Sequence, residues 1–410
     1  MKPMRFTPLL LLLSLLAGSV PARAAAESTD AKAPAAVPDE PVAAYRVALL
    51  ELSHEAASAY PLVPHIKNRS RAQQRGVEAA IELGQLGRAE RYAKDIANYR
   101  RGRAFASVAA ALAERGEGAE ARRLVAEAEQ IADTAGIEPW RRANVRVEMA
   151  RALAILGETE RAEALLKNSP IADAGDARGV AQARLRVRDD FDSHFQHLTA
   201  AVRSDEFFRV HAGLWGLAGL FDIAYEDAEK RDQILAVFDD PPSAIPGGFV
   251  VEAMVDMTDT ALQHEDRATA GDLLERIEAF TEGKVGSVRY GVPLQARLGE
   301  LTYRNGQEEE GLAMLEAALS RYEGGASELN PLWRPEVLRP VAEGFAKIGD
   351  HDRALAVYRR VVELGAENPN LRPRIDELTA TCLSMAVRGV EPDAALFARL
   401  RNLTQGLEAK

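Results

Sequence analysis

IGDHDRALAVY (348–358) is the stretch that decides the fold of this chain. An apolar helix pattern runs up to Ile348, Gly349 interrupts it, and five residues beyond that glycine the small side chain of Ala354 opens a second pattern. The same punctuation stands in LGQLGRAERYA (83–93), RGEGAEARRLV (115–125) and LGETERAEALL (156–166). Glycine accepts the left-handed backbone that ends a helix. A small residue lets the returning helix come close. Self-similarity of this kind marks stacked helical hairpins, each burying its apolar face only against its neighbours.

The flanking segments agree. Between residues 100 and 115, Ala104, Phe105, Val108, Ala109 and Leu112 recur at three- and four-residue steps and form one apolar stripe. Gly116 stops that helix, and Ala121, Leu124, Val125, Ala128, Ile131 and Ala132 make the facing stripe of an antiparallel partner. Runs of alternating β-branched residues are missing, and GGFVVEAMVDM (247–257) continues into helical periodicity. Prolines gather between hairpins, at Pro139, Pro170, Pro241, Pro242, Pro246, Pro331, Pro335 and Pro340. The expected fold is all-α, an α-solenoid (a right-handed superhelix) of about eight antiparallel helix hairpins.

These units resemble the tetratricopeptide repeat, a helix–turn–helix of about 34 residues. The last clear one supplies Leu338, Val341, Ala342, Phe345, Gly349, Ala354, Tyr358 and Val361. The one before it has Leu298, Gly299, Gly306, Leu315 and Ala318, with Gly311 where the family places alanine. Gly84 with Ala89, Gly116 with Ala121 and Gly157 with Ala162 mark three more, and a weaker unit is read with Gln263 at the glycine position and Ala268 as its small residue. Successive markers lie 32, 41, 43 and 43 residues apart, with 106 between Gly157 and Gln263, so several units exceed the family length.

The resemblance implies a partner peptide or helix held in the groove lined by the first helix of each unit. Carried onto this sequence, the groove takes Arg71, Gln74 and Glu78, then Arg103, then Asn144 and Arg151. Its later part takes Glu300, Tyr303 and Arg304, followed by Glu336, Arg339, Glu343 and Lys347. The lysine and asparagine set with which some members of the family clamp a C-terminal carboxylate is not found.

Lys2, Arg5, the apolar run Leu9–Ala17 and the small residues around Ala22 and Ala24 read as a secretory signal peptide, 1–24, cut after Ala24 or Ala26. Residues 25–41 read as a flexible leader, 42–240 as N-terminal helical repeats and 241–410 as C-terminal TPR-like repeats, the alternative being one continuous solenoid jointed at DDPPSAIPGG (239–248). The apolar run is too short to span a bilayer, so no membrane insertion is expected after cleavage. A single cysteine, Cys382, forbids an internal disulfide and falls in a core pattern. Export into a bacterial periplasm or beyond is the expected location.

Net charge is −11, unevenly spread: residues 41–205 carry 25 Lys/Arg against 23 Asp/Glu, and 206–410 carry 22 against 35. An acidic chain is a poor match for nucleic acid. Phosphate-loop, nucleophile-turn and HExxH patterns are absent, so no catalytic residue and no cofactor is expected. Asp190, His194 and His197 share one helix face and are a weak metal candidate, three ligands from one straight helix closing a tetrahedron poorly. Trp140, Trp215 and Trp333 suit inter-repeat packing, and alternatively sugar stacking. The sequence thus points to a non-enzymatic, exported scaffold for a protein or peptide partner, the alternative being a glycan-, small-molecule- or metal-binding repeat module.

Overall fold

The computed structural model describes residues 39–134, 136–167, 190–239, 247–281 and 286–408. Eighteen α-helices and one short 3-10 turn occur among the described residues, with no strand. The first seven are α1 (Ala44–Ser58), α2 (Leu62–Glu82), α3 (Leu86–Lys94), α4 (Arg100–Glu114), α5 (Gly118–Ala132), α6 (Pro139–Ile155) and α7 (Thr159–Leu166). The middle of the chain forms α8 (Phe191–Val202), α9 (Phe207–Ile223), α10 (Ala228–Val237), α11 (Gly247–Gln263) and α12 (Arg267–Thr281). The remainder forms α13 (Val288–Arg304), α14 (Glu308–Gly325), α15 (Arg334–Lys347), α16 (His351–Ala366), α17 (Leu371–Arg388) and α18 (Ala394–Glu408). The signal-peptide assignment, most of the leader and Pro241, Pro242 and Pro246 of the joint lie outside the described residues.

The glycine punctuation has one physical cause. Gly84, Gly116, Gly157, Gly306 and Gly349 all adopt positive φ, between 69° and 100°. Each lets the following N–H turn back to the carbonyl five residues earlier: Gln85 to Ala80 at 2.8 Å, Glu117 to Leu112 at 2.9 Å, Glu158 to Leu153 at 2.8 Å, Gln307 to Thr302 at 3.2 Å and Asp350 to Phe345 at 2.9 Å. Carbonyls that the helix end would leave orphaned are thereby satisfied. At the last of these turns the Asp350 carboxylate also accepts from the Arg353 N–H at 3.1 Å and starts the next helix. Ala89, Ala121, Ala162 and Ala354, five residues past the glycine, are all fully buried.

The weak unit needs a correction of two residues. The left-handed position there is Glu265, at φ 59°, and not Gln263. The Asp266 N–H reaches back to the Ala261 carbonyl at 2.9 Å, as at the other turns. The small residue that packs is accordingly Ala270, fully buried, whereas Ala268 is exposed. Corrected in this way, the spacing to Gly306 is 41 residues.

First helices of successive hairpins pack on one another, α2 on α4 on α6, and α9 on α11 on α13 on α15 on α17, while each also pairs with its own return helix. α17 then packs against α2 and, extensively, against α1, so the last hairpin meets the first. The Tyr60 hydroxyl donates to the Arg372 carbonyl at 3.0 Å, Ser53 donates to the Thr379 carbonyl at 3.4 Å, and Arg75 pairs with Asp376 at 3.4 Å across that junction. One apolar core therefore joins residues from both ends of the chain, from Leu49 to Leu166 and from Val292 to Leu407. A second runs from Phe191 to Ile277 and takes residues from either side of position 240.

Candidate interaction surface

The face lined by the first helices is polar, and its side chains are tied to one another across neighbouring repeats. On α2 the Gln74 amide, buried, donates to Glu78 at 2.7 Å and accepts from Arg100 of α4 at 2.6 Å. Arg103 of α4 faces Glu148 of α6 at 3.5 Å, and Arg151 faces Glu114 at 3.6 Å. Asn144 is buried beside them. Burial pushes the Glu78 carboxyl above its ordinary range, with the nearby Glu148 adding to the rise. The residue is nonetheless exposed to solvent.

The later groove is a denser network. Glu300 of α13 is fully buried and accepts from Arg297, from Arg304 at 2.7 Å and from Lys347 of α15 at 3.3 Å. Asp259 of α11 joins it, accepting from Arg297 at 2.8 Å and Arg304 at 2.5 Å. Arg339 of α15 donates to Glu377 of α17 at 2.7 Å and lies 3.6 Å from Glu343. The Ser384 hydroxyl donates to Glu343 at 2.7 Å and lies 2.6 Å from the Tyr358 hydroxyl.

Burial works to raise the Asp259 carboxyl, but Arg297 first, then Arg304 and Lys347, outweigh it and hold the group at about 2. Because the folded value lies below the ordinary 3.8, its stabilising effect is complete above about pH 4 and fades as pH falls through 2. That effect amounts to about 2 kcal/mol for this mostly buried side chain. Asp259→Asn is expected to flatten the loss of urea stability between about pH 4 and pH 2; a variant with the parental acid profile would show that the carboxylate contributes nothing there.

Of the groove residues read from the sequence, Gln74, Arg103, Arg151, Glu300, Arg304, Arg339, Glu343 and Lys347 are thus engaged with other side chains. Arg71 is exposed and Tyr303 half-buried. Arg100, Glu148, Asp259, Arg297 and Glu377 belong to the same lining and were not foreseen. Arg297, Glu300 and Arg304 do carry a signal, since they stand three and four residues apart on one helix.

The other candidates scatter. Asp190 caps α8, accepting from the Ser193 N–H at 3.2 Å, and His197 is exposed. Among the described residues no three His, Cys, Asp or Glu side chains gather in a metal-binding group. Trp140 meets Tyr99 edge-on at 5.6 Å, the Trp215 indole donates to His211 at 3.1 Å, and Trp333 carries the Arg289 guanidinium 3.7 Å from its ring centre. These sit on separate elements and form no common platform. Cys382 is fully buried, and burial pushes its thiol up to about 12.

No protein-family model matches the chain, and no curated protein matches it. Among solved structures it is similar to a "Circular tandem repeat protein with novel repeat topology and enhanced subunit contact surfaces", at 15% identity and a TM-score of 0.25, over 88% of this chain and 95% of that one. The helices described above themselves define an all-α helical-repeat fold.

Proposed function

We propose that this scaffold is exported, TPR-like and non-enzymatic, and that it holds a protein partner in the cell envelope through the N-terminal part of its concave lining. The observation that carries this reading is an imbalance. In the later groove every cation named above has a carboxylate partner. Among the described residues, Arg100 on α4 hydrogen-bonds through its side chain to the neutral Gln74 amide and to no carboxylate, the Glu78 charge acting on it only through space, and Arg71 is exposed close by. Burial lowers the Arg100 pKa, and repulsion from Arg103 and Arg71 lowers it further. An acidic peptide segment laid along α2 and α4 relieves that repulsion.

The test uses the full chain, recovered from the envelope fraction of its source cells with its leader removed. Wild type is expected to capture a defined partner with an acidic segment. Arg71→Glu with Arg100→Glu is expected to weaken capture at least about tenfold, whereas Arg401→Glu on α18 keeps it. Equal recovery by wild type and the double variant would remove the groove assignment, and retention of the intact leader inside the cell would remove export.

A further inference from the structure

A cleft of about 600 Å³ opens between the start of α11, the end of α12 and the start of α13, and no residue of α2 or α4 lines it. Its walls are mainly apolar, with Phe249, Val251, Tyr290 and Leu294 among them. Phe249 is held in place edge-on against His211, with ring centres 4.4 Å apart, and against Phe207 at 5.4 Å. Tyr290, 69% exposed, stands at the mouth. The size lies within the range of pockets that take a small organic molecule, roughly 300–1,000 Å³.

Three polar side chains line this space: Thr281, whose hydroxyl is spent on the Ile277 carbonyl at 2.8 Å, Ser287 and Glu252. Ser287 precedes α13 without capping it. Glu252 stands on α11, exposed at the edge of the cleft, and makes no hydrogen bond or ion pair among the described residues; partial burial raises its carboxyl above the ordinary range. Arg289, the nearest cation along α13, is occupied by stacking on Trp333. An anion entering the cleft meets the Glu252 carboxylate and is repelled. A divalent ion finds, among the described residues, one carboxylate where it needs several oxygen ligands. A neutral apolar molecule strips water from that carboxylate and gives nothing back. An ammonium on an apolar body fits both features, pairing with Glu252 while the body fills the walls.

We propose that this cleft is a binding site for an organic amine: a protonated ammonium paired with Glu252, carried on an aromatic or branched apolar body lodged against Phe249, Val251 and Leu294. This site is independent of the protein-binding groove, and neither assignment depends on the other.

Isothermal titration of the full chain at neutral pH with 4-phenylbutylamine, and with 4-phenylbutan-1-ol as its uncharged counterpart, tests it. The amine is expected to bind at least about tenfold more tightly than the alcohol. Glu252→Gln is expected to erase that preference while leaving the helical circular dichroism unchanged, since among the described residues the carboxylate makes no hydrogen bond or ion pair. Ser287→Trp, an exposed position at the cleft, is expected to abolish binding of both probes. Equal affinity for amine and alcohol, an undiminished preference in Glu252→Gln, or no heat from the amine up to about 1 mM would each overturn the proposal.

Discussion

Replacing Glu300 by alanine is expected to cost about 4 kcal/mol of unfolding free energy, a large share of what holds a domain folded. The carboxylate is wholly buried and is the shared acceptor for Arg297, Arg304 and Lys347. Without it Arg297 and Arg304 keep Asp259, but Lys347 loses the one carboxylate it hydrogen-bonds among the described residues. Burial already lowers the Lys347 pKa, and the nearby Glu300 charge is the main influence opposing that fall. A buried cation left uncompensated is what makes removal of one partner far more damaging than replacement of the whole pair. Glu300→Leu with Lys347→Met is therefore expected to recover much of the loss. Urea denaturation of the three proteins decides the matter. A loss below about 1 kcal/mol in Glu300→Ala would mean that water reaches the network and screens it.

Gly311→Ala is expected to destabilise by about 3 kcal/mol, although alanine is the better helix former. A methyl group at Gly311 would stand 2.4 Å from the Tyr303 nitrogen and 2.5 Å from the Gly299 carbonyl oxygen. Both are backbone atoms, so no side-chain rotation relieves the clash, and α13 and α14 must separate. Gly299 faces the same junction, its own added methyl meeting the Gly311 carbonyl at 2.8 Å. Gly324, later on α14, has nothing within 4 Å of an added methyl. Gly324→Ala is the control, expected to be neutral or stabilising by up to about 1 kcal/mol. If both substitutions behaved alike, the close approach would not be what fixes glycine at 311.

The turns were legible in the sequence because few residues other than glycine tolerate the backbone they need. Where Glu265 takes that conformation, the mark vanishes and the register slips by two residues. That slip also hid Asp259, which lies one unit before Glu300 in the ion network. Gly311 read as a departure from pattern, since a missing methyl in a sequence does not reveal how close the facing backbone comes. The lining was found in outline, but its pairings were not. Arg103 and Glu148, Arg304 and Asp259, Lys347 and Glu300, and Arg339 and Glu377 meet across 38 to 47 residues, about one repeat apart, where unequal unit lengths spoil any fixed offset. The Glu252 cleft left no pattern at all, being assembled from three helix ends.

The junction of α1 with α17 bears on how the chain matures. A stacked array loosens most easily at its terminal units, each of which has a neighbour on one side only. Here Ser53 and Tyr60 reach carbonyls 326 and 312 residues further along. α1 leaves the ribosome more than 300 residues ahead of the segment on which it seats, and closing so long a loop is slow. During that wait Leu49, Leu50 and Ala56, all buried in the finished protein, are without their far-end neighbours. Nascent chains stalled before residue 371 are the species on which a holding chaperone has the most apolar surface to grasp.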